Sequence, residues 1–226
     1  MVAPDTNVEA PKESRGPASV RDGSLNFVRE YTISDVSVCD KLIELFKTAR
    51  SLGLTGPGRT GRFEVNKKVK DSEDLAVEQL PQNNPKIPSP KDSGYDSVMR
   101  QFMEFIPRYY RDVDASWPQP VEFRNLPHFQ YYKPGAGYHA WHCDAFGDVV
   151  DRHLAFILYM NDVPGGGTEF LHQRYICEAK KGKVLIFPAS FVFPHRSQIS
   201  QTHEKYILTG WACAKMPSQM AQQRRA

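Results

Sequence analysis

The chain has 226 residues, of which 40% are hydrophobic and 24% are charged, and its formal net charge at pH 7 is +3. This composition is ordinary for a globular domain and excludes a chain too polar to build a core. The small net charge gives no reason to expect a nucleic-acid or membrane partner, and we expect neither.

Targeting features and cysteine spacing bear on the cellular compartment. Residues 1–16, MVAPDTNVEAPKESRG, contain no apolar signal region, and no apolar run approaches the ~20 residues that span a bilayer. The four cysteines are widely spaced and form no CxxC pair. We therefore expect reduced thiols and a cytoplasmic location.

The first part of the chain predicts a tail, a short strand and a helix. Residues 1–22 are polar and aperiodic, which predicts a disordered tail. Residues 25–33, LNFVREYTI, predict a strand, and Ser34 or Asp35 is placed to cap the helix that follows. The apolar positions at helical spacing are Cys39, Leu42, Ile43, Phe46 and Ala49. The stretch SLGLTGPG ends this helix.

Two polar segments precede the second helix. The basic run at residues 58–70 is interpreted as a solvated face, although it could contact an acidic partner. Residues 79–94, QLPQNNPKIPSPKDSG, are rich in Pro and Asn and predict a long exposed loop. The second amphipathic helix is marked by Val98, Phe102, Phe105, Ile106, Tyr109 and Val113.

From about residue 121 the sequence becomes a series of short apolar or alternating runs. The runs are VEFRNLPHFQYY, YHAWHCDAF, HLAFILYMN, GTEFLH, RYICEAK, KVLIFPAS, FPHRSQI and KYILTGWACA. Turn residues separate most of them, which predicts a mainly β sandwich or jelly roll. We expect one domain over residues 23–216, with helical support at about 34–115, a jelly-roll core at about 121–215, and a C-terminal tail at 217–226.

The stretch YHAWHCD contains a candidate pair of metal ligands. Side chains at i and i+2 of a strand project to one face, so His142 and Asp144 would point together. His195 lies on a later strand and is the best candidate for a third ligand. Two histidines and one carboxylate are the ligands of non-haem Fe(II) oxygenases, whereas a structural zinc site is closed by four protein ligands. The other histidines, interpreted as ordinary structural or surface residues, are His128, His139, His153, His172 and His203.

Lys205 is a second polar residue in an apolar setting. It lies ten residues after His195, at the start of the apolar run KYILTGW. A lysine that enters a β core is costly unless it meets an anion. A dicarboxylate that chelates a metal through one end could present its far carboxylate to Lys205.

Six short motifs occur in a fixed order along residues 129–213: YYKPGAGY, HCD, DRHLAFILYMNDVPGGGTEF, KKGKVLIF, PH and KYILTGW. In this order they resemble the Fe(II)/2-oxoglutarate-dependent oxygenases, and within them the prolyl 4-hydroxylase-like branch. The resemblance implies a double-stranded β-helix, which is a cupin-like jelly roll. It also implies Fe(II), 2-oxoglutarate and O2, with ascorbate as an accompanying reductant. The implied reaction is hydroxylation of a C–H bond with release of succinate and CO2.

The resemblance also assigns roles to individual residues. It implies that His142, Asp144 and His195 bind iron, and that these three and Lys205 form the catalytic set. Residues implied to bind 2-oxoglutarate are Lys205, Tyr132 and Thr168. Residues implied to face the substrate are Arg152, Trp211 and Tyr138. Together with Arg152 and Trp211, the loop at residues 79–94 is expected to bound the entrance to the iron centre.

Three departures from the family pattern concern the substrate side and one turn. Tyr138 lies one residue farther from His142 than is usual, and the turn before GGGTEF is one residue short. Cys213 stands where prolyl hydroxylases carry a histidine. The iron chemistry is unaffected, but the implication that proline is the substrate is weakened.

Three functions therefore stay open. The first is hydroxylation of a prolyl residue in a peptide or protein. The second is hydroxylation of a small molecule, modified base or free amino acid with the same iron site. The third is a non-catalytic metal-binding jelly roll, which would have no need for Lys205, Tyr132 and Thr168. Succinate formation that depends on iron and oxygen separates the third from the others.

Overall fold

The computed structural model describes residues 27–60, 64–81, 83–115 and 118–215. The predicted tails at 1–22 and 217–226 lie outside these residues. In chain order the elements are β1 (Arg29–Thr32), α1 (Val38–Ser51), β2 (Gly56–Pro57), β3 (Glu73–Leu75), α2 (Tyr95–Asp112), β4 (Val121–Glu122), β5 (His128–Tyr132), β6 (Arg152–Tyr159), β7 (Val163–Phe170), β8 (Tyr175–Ala179), β9 (Lys183–Pro188), β10 (His195–Ser197) and β11 (Lys205–Ala214).

The strands form two antiparallel sheets. The larger sheet has the order β1-β9-β6-β11-β5-β3-β2, with β4 added beside β11. The smaller sheet has the order β10-β7-β8. Two sheets around one interior, with helices outside, confirm the predicted mainly β fold with a jelly-roll core and flanking helices. The extent of a single domain over residues 23–216 stays a prediction.

β6 shows why the larger sheet is buried on both faces. Leu154, Phe156 and Leu158 point to a core shared with the two helices. The alternate residues of the same strand, including Ile157 and Tyr159, point to a core shared with the smaller sheet. Because each face of the strand meets an apolar layer, its sequence reads as a continuous apolar run and not as an alternating one.

Several predicted elements are confirmed and several need correction. All the β runs after His153 form strands close to their predicted places, and both helices form. The first helix begins at Val38 rather than directly after Ser34 or Asp35, and Asp35 instead accepts hydrogen bonds from the Ser37 backbone and hydroxyl. The segment at 34–115 also contributes β2 and β3 to the larger sheet, so it is not only helical.

The loop at residues 79–94 packs on the helical side of the molecule. Leu80 and Ile87 lie against the core that the helices share with the large sheet. The loop ends at Gly94, whose φ is 81° and whose added Cβ would lie 2.0 Å from Cγ2 of Val38. Glycine is therefore required where the loop turns into α2 beside α1.

No helix among the described residues is long and apolar enough to cross a bilayer. Cys39, Cys143, Cys177 and Cys213 are all free thiols.

Phe102 tests the packing of α2 on the large sheet. Its side chain is 1% exposed, and its ring centroid lies 4.3 Å from that of Phe156. Phe102→Ala should lower the free energy of unfolding by about 3–5 kcal/mol, because it removes a buried ring and leaves a cavity. Met103→Ala, at a 49% exposed position of the same helix, is the control. Equal effects of the two changes in chemical denaturation would contradict this packing.

Candidate metal centre

His142, Asp144 and His195 converge at the interior of the jelly roll. Each offers one ligand atom, and these atoms all lie within 4.8 Å of one another. Nε2 of His195 lies 3.7 Å from Oδ2 of Asp144. Within the four described ranges, no other group of three or more His, Cys, Asp or Glu residues meets this test.

The backbone explains how the three residues meet, and it corrects one expectation. The stretch YHAWHCDAF is not a regular strand; only isolated bridges hold it, including one between His142 and His195. The His142 N–H donates to the His195 carbonyl at 3.1 Å, and the reverse bond is 2.9 Å. The Asp144 N–H donates to the Ala189 carbonyl at 3.1 Å. The bridge places the two histidines side by side, which the strand pattern alone did not predict.

The surroundings of the two imidazoles suit a metal ion. Nδ1 of His142 donates to the Ala140 carbonyl at 3.1 Å, and Nδ1 of His195 donates to the Phe193 carbonyl at 3.1 Å. Backbone carbonyls therefore fix both tautomers and leave both Nε2 atoms free, as in ligating histidines. Burial, followed by the neighbouring His195, lowers the pKa of His142 to about 3. A neutral imidazole is the form that binds a metal.

A cavity of about 1280 Å³ opens from the triad into the space between the sheets. Lys205 lines it and is 4% exposed. Its Nζ donates to the Gly166 carbonyl at 2.8 Å and to the Ser197 hydroxyl at 3.3 Å. No ion pair joins Lys205 to a carboxylate within the described parts of the chain, and burial lowers its pKa to about 7. A buried ammonium held this way is suited to a carboxylate from outside the protein.

The two other residues expected beside that carboxylate lie in the same cavity. Tyr132 pairs with Lys205 across β5 and β11, and Nζ of Lys205 lies 4.9 Å from the centroid of the tyrosine ring. Thr168 is 5% exposed, and its hydroxyl hydrogen-bonds that of Tyr159 at 2.6 Å. The run of glycines before Thr168 is needed for close packing, because a Cβ on Gly167 would lie 1.9 Å from the Cys177 carbonyl oxygen.

Arg152, Trp211 and Tyr138 also line the cavity. The guanidinium carbon of Arg152 lies 3.5 Å from the centroid of the Trp211 ring, and its Nη1 donates to the Asp144 carbonyl at 3.2 Å. Burial lowers the pKa of Arg152 from its usual value. The ring of Tyr138 stacks on that of His142, with 3.6 Å between centroids. Cys213 pairs with Arg152 in the sheet and does not line the cavity.

Some of the residues that line the cavity were not identified from the sequence. Lys70 is 4% exposed and its Nζ forms an ion pair with Asp74 at 2.6 Å. Both residues line the cavity, as does Arg59, so the basic run is not simply a solvated face. His128, which was interpreted as ordinary, also lines it. Even spacing from His128 to Tyr132 along one strand was the signal that could have identified it.

The loop at residues 79–94 does not have the expected place. Of its described residues only Gln79 lines the cavity, while segments of residues 56–78 supply the wall on that side. The expectation that this loop bounds the entrance is therefore wrong. The apolar positions within the loop, Leu80 and Ile87, turn it toward the helical core instead.

Comparison with known proteins gives one family and several structural relatives. Residues 127–213, less than half of the chain, match the family model of the 2OG-Fe(II) oxygenase superfamily. No curated protein matches the chain by sequence.

Three solved structures share the fold at low sequence identity. A Pseudomonas putida prolyl-4-hydroxylase is 18% identical, with a TM-score of 0.60 over 85% of this chain and 95% of that one. A Trichoplax adhaerens prolyl hydroxylase, in complex with a hypoxia inducible factor oxygen degradation domain peptide fragment, is 13% identical, with a TM-score of 0.68 over 88% and 87%. A viral collagen prolyl hydroxylase from Paramecium Bursaria Chlorella virus-1, in a 2OG complex, is 19% identical, with a TM-score of 0.58 over 84% and 97%.

The family match and the converging residues cover the same part of the chain. Enzymes of this family use Fe(II), 2-oxoglutarate and O2, and a His-His-Asp cluster lies within the matched residues. Residues 127–213 thus match a 2OG-Fe(II) oxygenase domain, and the chain has the fold of the prolyl 4-hydroxylases.

Proposed function

We propose that this protein is a 2-oxoglutarate- and Fe(II)-dependent dioxygenase that hydroxylates a C–H bond of a prolyl or similar residue in a peptide or protein, with release of succinate and CO2. One observation carries the proposal. A buried lysine that has no carboxylate partner in the described chain faces the same cavity as a cluster of two histidines and an aspartate. A dicarboxylate could bind a metal at this cluster through one end and the lysine through its other carboxylate.

His142, Asp144 and His195 would hold Fe(II). Their Nε2 and carboxylate oxygen atoms are the ligand set that non-haem Fe(II) oxygenases use. When bound, Fe(II) together with 2-oxoglutarate and O2 supplies the oxidation that converts C–H to C–OH. The backbone carbonyls at Ala140 and Phe193 keep the two imidazoles oriented toward the ion. Ascorbate as a reductant is part of the same proposal.

Lys205, Tyr132 and Thr168 would bind the far carboxylate of 2-oxoglutarate. The ammonium supplies charge, and the two hydroxyls supply hydrogen bonds in a pocket that excludes water. The residues around them are buried, since Tyr132 is 2% exposed and Tyr159 is 1% exposed. A non-catalytic metal module offers no explanation for a buried lysine at this place.

The substrate would enter beside Arg152, Trp211 and Tyr138. The indole Nε1–H of Trp211 is buried and has no hydrogen-bond partner in the described parts of the chain, and the Arg152 guanidinium stacks on the same ring. These donors suit the carbonyl of a peptide. The names of two structural relatives, a prolyl hydroxylase with a peptide fragment and a collagen prolyl hydroxylase, support a peptide over a small molecule.

The test is an assay of succinate with purified protein, Fe(II), 2-oxoglutarate and O2. Slow succinate formation should require iron and oxygen, and proline-containing peptides should stimulate it more than free proline or other amino acids. The product peptide should gain one oxygen atom by mass spectrometry. Stimulation by free amino acids alone would favour the small-molecule function, and no succinate under any condition would favour a non-catalytic module.

Arg152→Gln should separate substrate binding from the iron chemistry. We expect kcat/KM for the substrate to fall roughly 10- to 100-fold, because hydrogen bonds to a charged group contribute about 1.5–3 kcal/mol. Uncoupled turnover of 2-oxoglutarate without substrate should survive. Arg111→Gln, at an exposed position on α2, is the control. If both activities fall together, Arg152 is structural and its assignment is wrong.

A further inference from the structure

Three side chains of β5 form a hydrogen-bonded chain along one wall of the cavity. Because alternate residues of a strand share a face, Tyr132, Gln130 and His128 project together, and all three line the cavity. The Tyr132 hydroxyl donates to Oε1 of Gln130 at 2.6 Å. Nε2 of Gln130 lies 3.0 Å from Nε2 of His128. We call these three residues the β5 chain.

The β5 chain connects the two ends of the cavity. At one end, the ring of Tyr132 lies 4.9 Å from Nζ of Lys205. At the other end, the ring of His128 lies 5.5 Å from that of Trp211, on which Arg152 stacks. Lys205 and Trp211 are separated along β11 by ~20 Å at ~3.3 Å per residue. The chain therefore runs from the proposed cosubstrate end to the proposed substrate end.

The donors and acceptors of the β5 chain fix the tautomer of His128. An amide nitrogen of glutamine can only donate, so Nε2 of His128 must accept and its proton lies on Nδ1. Burial lowers the pKa of His128 to about 4, so the ring is neutral near pH 7. In this state His128 presents an N–H donor on its other nitrogen, and its ring lies 5.5 Å from that of Trp211, whose indole N–H has no partner among the described residues.

A carboxylate bound at Lys205 that accepts a hydrogen bond from the Tyr132 hydroxyl would change this arrangement. The Tyr132 hydroxyl has one proton, and burial raises its pKa well above the usual value, so it stays a donor. When Tyr132 donates that proton to a carboxylate, it cannot also donate to Gln130. Oε1 of Gln130 would then face an oxygen 2.6 Å away with no proton between them. Rotation of the amide by half a turn removes the repulsion, because its NH2 group then donates to the tyrosine oxygen.

The rotated amide presents its oxygen to His128. Two acceptors would again face each other unless Nε2 of His128 carries the proton. The ring therefore loses its proton on Nδ1 and gains one on Nε2, with no net change in charge.

We propose that 2-oxoglutarate binding reverses the β5 chain and switches His128 from the Nδ1–H to the Nε2–H tautomer, which makes His128 a positioning residue for the substrate. The proposal rests on the proposed function, through the contact of Tyr132 with the carboxylate. Its consequence is that the free nitrogen of His128 becomes an acceptor only when the cosubstrate is bound. A donor such as a peptide N–H then gains a partner between His128, Trp211 and Arg152.

The test reads the tautomer directly by NMR. The protein is labelled with 15N-histidine and loaded with Zn(II), a diamagnetic ion without redox chemistry, and the ring 15N shifts are recorded with and without 2-oxoglutarate. His128→Gln identifies the signals of His128 by their loss. We expect Nδ1–H without 2-oxoglutarate and Nε2–H with it. Calorimetry on the same sample measures the binding of 2-oxoglutarate independently.

Two variants make the result specific to the β5 chain. Gln130→Glu accepts hydrogen bonds from both neighbours, so His128 should stay in the Nε2–H form with or without 2-oxoglutarate. Gln130→Leu removes the link, so its tautomer should no longer respond. If 2-oxoglutarate binds and wild-type His128 keeps its proton on Nδ1, the reversal is wrong while the proposed function stands. If calorimetry shows no binding, the proposed function fails and the reversal fails with it.

Discussion

Replacing His195 with alanine is expected to lower the affinity for Fe(II) by at least ~100-fold and to abolish iron-dependent succinate formation. Loss of a residue that only orients a ligand already lowers metal affinity ~10- to 100-fold, and His195 would be a ligand itself. The His195 side chain is 5% exposed. Because backbone atoms form its bridge to His142, the change to alanine removes the imidazole and can leave the bridge in place. Metal titration of the ligand-free protein measures the effect.

The matched control is His172→Ala, because His172 is exposed on the turn after β7. It should bind iron as the wild type does. Thermal unfolding of both variants without metal separates a lost ligand from a lost fold. Unchanged iron affinity in His195→Ala, with the fold intact, would contradict the assignment of His195 as a metal ligand.

Lys205→Met is expected to weaken 2-oxoglutarate binding by about 3–5 kcal/mol, which is on the order of 10²- to 10⁴-fold. The reason is that the far carboxylate would remain buried without its counter-charge. Methionine keeps the length and volume of the side chain, so the cavity wall stays filled. Iron binding should change little. Calorimetric titration with 2-oxoglutarate gives the affinity without any need for the substrate.

The same change should have the opposite effect on the stability of the ligand-free protein. Among the residues that the structure describes, buried Lys205 has only the Gly166 carbonyl and the Ser197 hydroxyl as hydrogen-bond partners, so removing its charge should raise the melting temperature. Lys181→Met, which removes a partly exposed lysine paired with Asp40, is the control and should affect neither property strongly. A variant that loses both 2-oxoglutarate binding and stability would indicate a structural lysine.

The pH dependence of stability and of 2-oxoglutarate binding provides a further test of the role of Lys205. Its pKa of about 7 in the folded state lies below the ordinary ~10.4, so between these values the unfolded chain binds more protons. The contribution of Lys205 to the free energy of unfolding should therefore rise with pH from about 7 to ~10.4, and Lys205→Met should lose this rise. Above about pH 7 the affinity for 2-oxoglutarate should fall, because a neutral amine no longer attracts the carboxylate.

The residues of the site could largely be named from the sequence, for reasons that are local. An HxD pair, a later histidine and a lysine entering an apolar strand each violate what an ordinary β core tolerates. The order of these pieces along the chain resembles the 2OG-Fe(II) oxygenases, whose family model matches residues 127–213. The mainly β fold followed from short apolar runs separated by turn residues.

Other features depended on contacts between distant segments. Regular strand geometry was expected for the residues around His142, but only isolated bridges hold them, and pairing with His195 brings the ligands together. The loop at 79–94 looked suited to an entrance, yet Leu80 and Ile87 draw it to the helical core. Lys70, in the basic run, was interpreted as part of a solvated face, yet it pairs with Asp74 at 2.6 Å beside the cavity.

The sequence by itself determined which side chains are candidate ligands for a metal and a carboxylate, since ligand type and strand spacing are properties of short segments. Only the tertiary structure decided which segments enclose the cavity and how His128, Gln130 and Tyr132 bond to one another. The physical reason is that burial and hydrogen-bond partners are set by strand register across the sheets. In β11 alone, one strand pairs with β4, β5 and β6, whose residues lie far from it in sequence.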